Sequence, residues 1–393
     1  MKKIGIFTLN GNFNYGNRFQ NYATQVFLER LGYEVETVQY RRDFSKDKVN
    51  NNILKKIYSH SVNGDVLDII KNKLVKIFNE KSNRIKNQLL EQRVENFRNF
   101  SERYINETKD IIDQTILEDK EKQVYLNSNY STFFVGSDQV WNLDNGKFST
   151  VFFLPFVDKL KRNSFSASFG ISNIPSLFEN DYRKGLNGMN NISVREESGI
   201  EIVQELTNRE STLMLDPTFL LGKDNWLEIA DCNKTIKNKK YILTYFLGKK
   251  TKEYQRIIDE FVKNVDLEVI SLNDVDYPEN FIIAPDKFLG LIQDAEFILT
   301  DSFHGVAFSI IFRKPFMAVD RIDANVNMNT RIISVLKQFN LSNRYFKLDR
   351  EILTKEWLEI DYSGAEIIIN NNREIAQTFI NKSLEAISEN DEE

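Results

Sequence analysis

The 393-residue chain contains very little cysteine or histidine. Cys232 is its one cysteine, and His60 and His304 are its two histidines. One cysteine cannot close an intramolecular disulfide, and two distant histidines without a cysteine cluster lack the spacing of a zinc or iron–sulfur site. The sequence therefore predicts a protein of a reducing, cytoplasmic compartment, with no Cys/His metal centre and no bound cofactor. Magnesium held by carboxylates is left open.

Long apolar runs and a basic excess are missing as well. No stretch reaches the roughly 18–20 apolar residues of a membrane-spanning helix, and the first apolar run stops at Asn10, too early for a signal peptide. The formal net charge is −5, from 52 basic and 57 acidic residues. Nucleic-acid-binding proteins normally carry a concentrated basic excess. We therefore expect a soluble protein that does not bind nucleic acid.

The composition of the chain is that of a folded protein, with 41% hydrophobic and 28% charged residues. Its length favours two domains, since domains usually contain roughly 100–200 residues. A polar stretch at 222–240 marks the predicted boundary between a first domain, 1–222, and a second, 223–364. The segment 365–393 is predicted to be a helix that could pack back across the first domain.

Short apolar runs alternate with helical patterns in both predicted domains. In the first, a strand at Ile4–Leu9 is followed by an apolar helical stripe from Phe19 to Leu31 and a second strand at Glu34–Tyr40. Units of this kind build parallel sheets with right-handed crossovers. The second domain repeats the pattern, with strands predicted at Tyr241–Leu247, Leu267–Leu272, Phe297–Thr300 and Pro315–Val319. The predicted fold class is α/β, with two Rossmann-like domains facing a cleft.

Residues 45–100 interrupt this pattern and predict a helical insertion in the first domain. They carry 12 basic against 6 acidic residues, a local charge of +6. Lys71, Lys73 and Lys76 alternate with apolar residues, which is compatible with peripheral contact to an anionic membrane. A solvated helical excursion explains the same pattern, and it is the interpretation we favour because composition alone rarely identifies a membrane-binding face.

Candidate functional residues follow the predicted strands, because ligands of open α/β sheets bind beyond the carboxyl ends of strands. The first such segment, 10–18, contains two glycines but lacks both the P-loop lysine and the three-glycine dinucleotide pattern. Asn14, Asn17 and Arg18 could bind an anion or a sugar at the start of the following helix. A tight strand–helix turn explains the spacing equally well.

His304 is the strongest candidate for catalysis. It follows the strand Phe297–Thr300, and either Asp301 or Ser302 could cap the helix that begins near Phe303. In the first turn, the helix dipole favours a bound anion, and a phosphorylated ligand would in turn favour a protonated imidazole that can act as an acid. The alternative is a histidine that only hydrogen-bonds within the domain junction. His60 has no such context and is predicted to be structural or on the surface.

Two further strand ends supply candidates. Arg195 follows Ile192–Val194 and suits bidentate capture of a carboxylate or phosphate, although pairing with a neighbouring glutamate explains it as well. Ser137 and Asp138 could bind sugar hydroxyls or act as a base, with Trp141 as a stacking surface. The alternative there is a helix cap beside a core tryptophan.

Five segments, read together and in order, resemble the polysaccharide pyruvyl transferase family. They are Asn14–Ala23 (NYGNRFQNYA), Val135–Asn142 (VGSDQVWN), Ser193–Gly199 (SVREESG), Leu215–Thr218 (LDPT) and Asp301–Gly305 (DSFHG). The resemblance runs from the first strand to about Val319, which is most of the chain.

The resemblance implies a fold similar to GT-B glycosyltransferases and transfer of a pyruvyl group from phosphoenolpyruvate to two hydroxyls of a sugar, with release of phosphate. It implies that Arg195 and His304 hold phosphoenolpyruvate and that His304 is the acid. Tyr15 and Ser302 are added as substrate-binding candidates because they lie in these motifs. A basic residue that can precede the histidine in the family is replaced by Phe303, so anion capture would depend on Arg195, the helix N-terminus and Arg321 or Arg331.

Two other functions are compatible with the sequence. A glycosyltransferase that uses a nucleotide sugar could have the same architecture, because fold does not determine chemistry. A glycan-binding module could keep the cleft without turnover. In each case the expected partner is a glycan or a lipid-linked sugar, and the sequence does not specify an oligomeric state.

Overall fold

The computed structural model describes residues 2–41, 80–143, 149–232, 240–248, 250–265, 267–321, 329–346 and 355–388. Of the predicted insertion, the described part is helical from residue 80 onward. His60 and the lysines Lys71, Lys73 and Lys76 lie outside the described residues, so membrane contact through this region stays a prediction. Within the described ranges, no helix combines the length and the apolar character needed to cross a membrane.

The N-terminal half contains a parallel sheet with the strand order β3-β2-β1-β4-β5 and a short parallel pair, β6-β7. Its strands are β1 (Lys3–Phe7), β2 (Glu34–Tyr40), β3 (Glu107–Ile112), β4 (Thr132–Val135), β5 (Arg162–Ser164), β6 (Ser193–Val194) and β7 (Thr212–Leu213). Its helices are α1 (Tyr15–Arg30), α2 (Glu80–Tyr104), α3 (Lys120–Asn129), α4 (Ser176–Asn187) and α5 (Glu197–Thr207).

The C-terminal half repeats the architecture with a parallel sheet in the order β12-β11-β10-β8-β9. Its strands are β8 (Tyr241–Tyr245), β9 (Glu268–Leu272), β10 (Phe297–Thr300), β11 (Phe316–Val319) and β12 (Tyr345–Phe346). Its helices are α6 (Lys223–Ile229), α7 (Lys252–Val265), α8 (Pro278–Phe281), α9 (Pro285–Asp294), α10 (Phe303–Ile311), α11 (Thr330–Gln338) and α12 (Ala365–Ser388).

The central strands are apolar because helices cover both faces of each sheet. Every residue of β4, β10 and β11 is buried, as expected for parallel strands inside an α/β layer. Strand β5 is short and ends at Ser164. Ser166 has a φ of 52°, in the left-handed region, and this conformation cannot continue a strand.

Helices join the two halves on both sides of the cleft. On helix α1, the Phe19 ring lies 4.8 Å from Phe308 and 5.7 Å from Trp226, between ring centroids. The last helix, α12, returns to the N-terminal half, where its Asn372 accepts a hydrogen bond of 2.8 Å from the Leu215 amide. Its apolar side packs there with residues of β1 and β4, through Ala376, Phe379, Ile380 and Leu384. The carboxyl ends of both sheets therefore open onto one cleft, and the predicted α/β fold of the GT-B type is confirmed.

Candidate active site

A cavity of about 800 Å³ lies between the carboxyl ends of the two sheets. The predicted site residues that line it are Asn14, Asn17, Asp138, Ser302 and His304. The N-terminal half also contributes a series of amides and aromatic rings, and the C-terminal half contributes two arginines. These further lining residues include Asn10, Asn12, Phe13, Tyr40, Phe152, Arg321 and Arg331.

His304 occupies the first turn of α10, as predicted. The cap of this helix is Ser302, whose Oγ accepts from the Gly305 amide at 3.4 Å. Asp301 does not cap the helix; its two oxygens accept from the amides of Leu247 and Gly248 at 2.7 and 2.8 Å. The strand end of β10 is thereby tied to the strand end of β8, which places the imidazole at the cleft.

The imidazole of His304 is held between one residue on each side. Its Nε2 atom lies 3.8 Å from Asp216 Oδ2 and is buried without a hydrogen-bond partner. On the Nδ1 side, a Cβ atom at position 16 would lie 2.0 Å from Nδ1 and 2.2 Å from Cε1. No real Cβ tolerates such a distance, so a glycine at position 16 is required for the histidine to sit here.

Asp216 is the centre of a buried polar cluster. Its Oδ2 accepts hydrogen bonds from Arg195 Nη1 and, at 3.2 Å, from Ser137 Oγ, while its Oδ1 accepts from the Thr218 amide at 3.0 Å. Burial alone would raise the pKa of Asp216, but the neighbouring His304 and Arg195 outweigh it and hold that pKa well below its usual range. Asp216 is therefore a carboxylate in the folded protein.

Arg195 does not reach the cavity. Its side chain is 1% exposed, and besides Asp216 it pairs with Asp138 at 3.2 Å and lies 3.8 Å from Glu196. Its guanidinium stacks on the Phe303 ring at 4.7 Å. Burial lowers the pKa of Arg195, but the three carboxylates more than reverse this and the net shift is upward. Instead of the predicted direct capture of an anion, Arg195 neutralises these carboxylates and orients them.

Asp138 connects this cluster to the cavity, which it lines. Its φ of 58° is in the left-handed region, a strained conformation for a non-glycine residue at a strand end. Burial would raise the pKa of Asp138, but Arg195, His304 and Arg331 together lower it. Asp138 is therefore also ionised and faces the cleft as an acceptor.

Arg331 and Arg321 are the cations on the cavity wall that oppose this arrangement. Gln139 accepts from Arg331 Nη2 and Nε at 2.8 and 3.1 Å once its amide oxygen is oriented toward the guanidinium. Burial lowers the pKa of Arg331 to about 10, and repulsion from Arg195 adds to that shift. In the described structure Arg321 Nε is buried without a partner. Attraction to Asp138 and Glu196 offsets these two effects on Arg331 only in part.

Three other predicted contacts lie away from the cavity. Tyr15 is fully buried, and its hydroxyl donates to the Ile283 carbonyl at 2.8 Å. Arg18 is also fully buried and pairs with Glu107 at 3.0 Å. Ser137 lies inside the buried cluster, where its hydroxyl donates to Asp216. Trp141 is likewise a core residue, stacked on Phe153, and offers no surface to a ligand. These side chains support the site and do not line it.

The sequence of helix α1 contains a signal for this support. Asn17, Gln20, Asn21 and Thr24 are buried polar residues of α1 at the helical spacing i, i+3, i+4, i+7. Gln20 links two strand-end loops, because its amide nitrogen donates to Thr8 Oγ1 and its oxygen accepts from the Ser137 amide, each at 2.9 Å. A polar stripe on the inner face of a helix therefore marks the side that faces the site.

The family model for polysaccharide pyruvyl transferases matches residues 14–323, well over half of the chain. The chain belongs to this family. Family members are transferases, and the matched range contains cavity-lining residues of both halves, from Asn14 to Arg321. The predicted resemblance is thereby confirmed.

Comparison with curated proteins gave no match for this pyruvyl transferase family member. Among solved structures it is similar to UDP-GlcNAc 2-epimerase from Methanocaldococcus jannaschii, with a TM-score of 0.45 and 13% identity over 94% of this chain and 98% of that one. The same enzyme from Rickettsia bellii gives 0.44 and 10% over 97% and 98%. ADP-heptose LPS heptosyltransferase II from E. coli gives 0.37 and 12% over 96% and 100%. Similarity at this level says nothing about the reaction.

Proposed function

We propose that this protein transfers a pyruvyl group from phosphoenolpyruvate to two hydroxyls of a sugar, forming a ketal and releasing phosphate. The acceptor sugar would belong to a polysaccharide or its lipid-linked precursor, such as an exopolysaccharide of the cell envelope. The observation that carries the proposal is the position of His304 in a family member, at a helix start beside the carboxylate of Asp216 and in a cavity that Arg321 and Arg331 also line.

The donor is proposed to bind on the C-terminal wall, because phosphoenolpyruvate carries a carboxylate and a phosphate. Arg331 is a cation whose charge Asp138 and Glu196 compensate only in part, Arg321 lines the same wall, and the start of α10 adds the amides of its first turn. Anion binding relieves the unfavourable burial of Arg331. Arg195 contributes indirectly, by fixing the carboxylates behind the site.

The acceptor is proposed to bind along the N-terminal wall. The cavity of about 800 Å³ is much larger than a three-carbon acid requires, and this wall carries Asn14 and Asn17 as hydrogen-bonding amides. The Phe13 side chain is 58% exposed there. Its backbone is held in place, because its carbonyl accepts a hydrogen bond from Arg93 Nη2 at 3.0 Å. An exposed ring beside amides is suited to the mixed polar and apolar surface of a sugar.

The proposed chemistry needs one acid and no bound cofactor. His304 would give a proton to the methylene carbon of phosphoenolpyruvate, and a sugar hydroxyl would attack the adjacent carbon and return its proton to His304. A second hydroxyl then displaces phosphate, which leaves with the second proton as the ketal closes. A positioned general acid contributes typically 10²–10⁴-fold in rate, roughly 3–5 kcal/mol of barrier. Asp138 is the candidate base that takes this second proton from the attacking hydroxyl and passes it to the departing phosphate.

The test is incubation with phosphoenolpyruvate and a panel of glycans. We expect release of inorganic phosphate and an acceptor mass increased by one pyruvate ketal. His304→Gln should lower kcat by about 10²–10⁴-fold while the protein still binds phosphoenolpyruvate in calorimetry.

The matched control is His60→Gln, which removes the other histidine and should leave turnover unchanged. Consumption of a nucleotide sugar, with none of phosphoenolpyruvate, would contradict the proposal and favour a glycosyltransferase. Glycan binding without turnover of either donor would favour a binding module.

A further inference from the structure

The two ring nitrogens of His304 have different surroundings. Nε2 is shielded from solvent, has no hydrogen-bond partner among the described residues and has Asp216 Oδ2 at 3.8 Å. The edge with Nδ1 lies against Gly16, at the start of α1 beside the cavity-lining Asn14 and Asn17. Because Gly16 has no side chain, the start of α1 packs close against the Nδ1 edge, and Nδ1, unlike Nε2, is not one of the buried polar atoms that lack a partner.

Electrostatics determine which nitrogen carries hydrogen in the neutral ring. A bare Nε2 would direct its lone pair toward the carboxylate of Asp216, whereas Nε2–H directs a positive hydrogen toward it. Leaving a buried polar group without a partner costs about 1–3 kcal/mol. Catalytic hydrogen bonds are often long in a ligand-free site and shorten when the substrate is bound, which a shift below 1 Å achieves here.

Asp216 is fixed and cannot turn away from the imidazole. Its Oδ1 accepts hydrogen bonds from the amide and hydroxyl of Thr218, at 3.0 and 2.9 Å. Its Oδ2 accepts hydrogen bonds from Arg195 and Ser137. The carboxylate is fully buried. The oxygen that faces Nε2 therefore has a defined position and a defined charge.

We infer that Asp216 is a positioning residue that holds His304 as the Nε2–H tautomer, so that Nδ1 is the nitrogen that gains and delivers the proton. Arg195 and Ser137 act through Asp216 by fixing its carboxylate. The assignment of the tautomer depends only on the geometry. Its consequence for turnover rests on the proposed function.

The two-histidine composition makes the tautomer directly measurable. In a His60→Gln background, ¹⁵N-histidine labelling leaves one imidazole, and protonated and bare ring nitrogens of a neutral imidazole have well-separated ¹⁵N shifts. We expect hydrogen on Nε2 and a bare Nδ1. Hydrogen on Nδ1 would overturn the inference, and this measurement on the otherwise native protein does not depend on the folding of any further variant.

Asp216→Ala in the same background should remove the tautomer preference. With phosphoenolpyruvate and an acceptor, kcat should fall by roughly 10²-fold or more, while KM for phosphoenolpyruvate changes less than about threefold. The control is Val124→Ala in the same background, at an exposed position of α3 away from the cavity lining, which should keep both the Nε2–H signature and kcat within a few fold.

An unchanged tautomer or an unchanged kcat in folded Asp216→Ala would overturn the inference. If the native protein shows the Nε2–H signature but does not turn over phosphoenolpyruvate, the proposed function fails and the tautomer assignment stands. The two ideas therefore fail separately.

Discussion

The two arginines that flank Phe303 illustrate opposite uses of the same side chain. Arg195, behind the ring at 4.7 Å, faces three carboxylates, whereas Arg331, at 6.0 Å, bonds to an amide, is repelled by Arg195 and is only partly compensated by Asp138 and Glu196. The net shift of the pKa of Arg195 is upward, and that of Arg331 is downward to about 10. An arginine close to a cleft is thus an anion site only where its own charge is not already neutralised.

Replacing Arg195 should have the largest effect on stability. Arg195→Met would leave Asp216 and Asp138 buried without their cation, and breaking a buried ion pair from one side costs about 3–5 kcal/mol. We expect the free energy of unfolding, measured in urea, to fall by that amount.

Arg331→Met is the matched control, because it removes a cation that burial already disfavours. It should change the unfolding free energy by less than about 1 kcal/mol and weaken phosphoenolpyruvate binding by roughly tenfold or more, as expected for a lost charged hydrogen bond. If folded Arg195→Met loses donor affinity and Arg331→Met does not, the roles of the two arginines are reversed.

Acid should distinguish the buried cluster from the cavity wall. The pKa values of Asp216 and Asp138 are lowered in the folded protein, so their stabilisation is complete above the unfolded value of about 3.9 and is lost as the pH falls through the folded values. Each such group adds a slope of up to about 1.4 kcal/mol per pH unit. Between pH 5 and pH 3, the free energy of unfolding should fall more steeply with decreasing pH in the native protein than in Asp216→Asn. The same pH dependence in both proteins would mean that folding does not lower the pKa of Asp216.

The smallest effect on stability is expected at the acceptor wall. Phe13→Ala removes an exposed ring, so the unfolding free energy should change by less than about 0.5 kcal/mol. The KM for the sugar acceptor should rise several-fold, and that for phosphoenolpyruvate should not. The exposed Val124→Ala, on α3 away from the cavity lining, is the control. Equal effects on both substrates would argue against an acceptor surface at Phe13.

Much of the fold was predictable because apolar periodicity is a local property of the chain. The predicted bounds of β2 and β10 match the structure residue for residue. The end of β5 could not be predicted in this way, since Ser166 follows it in a left-handed conformation that no periodicity shows. The short β12 was missed, because two residues carry too little pattern.

The sequence by itself determined the family, the α/β class and the position of His304 at a strand end, because each of these depends on residues close together in the chain. The tertiary structure alone decided which polar side chains meet. It placed Arg195 behind the cavity, where it supports the site and does not contact a ligand. It gave Arg331 a positive charge that its neighbours compensate only in part, and it brought Gly16 and Asp216 to opposite edges of one imidazole. Burial and charge balance at a site depend on neighbours from several elements, and their distances exist only once both sheets are packed.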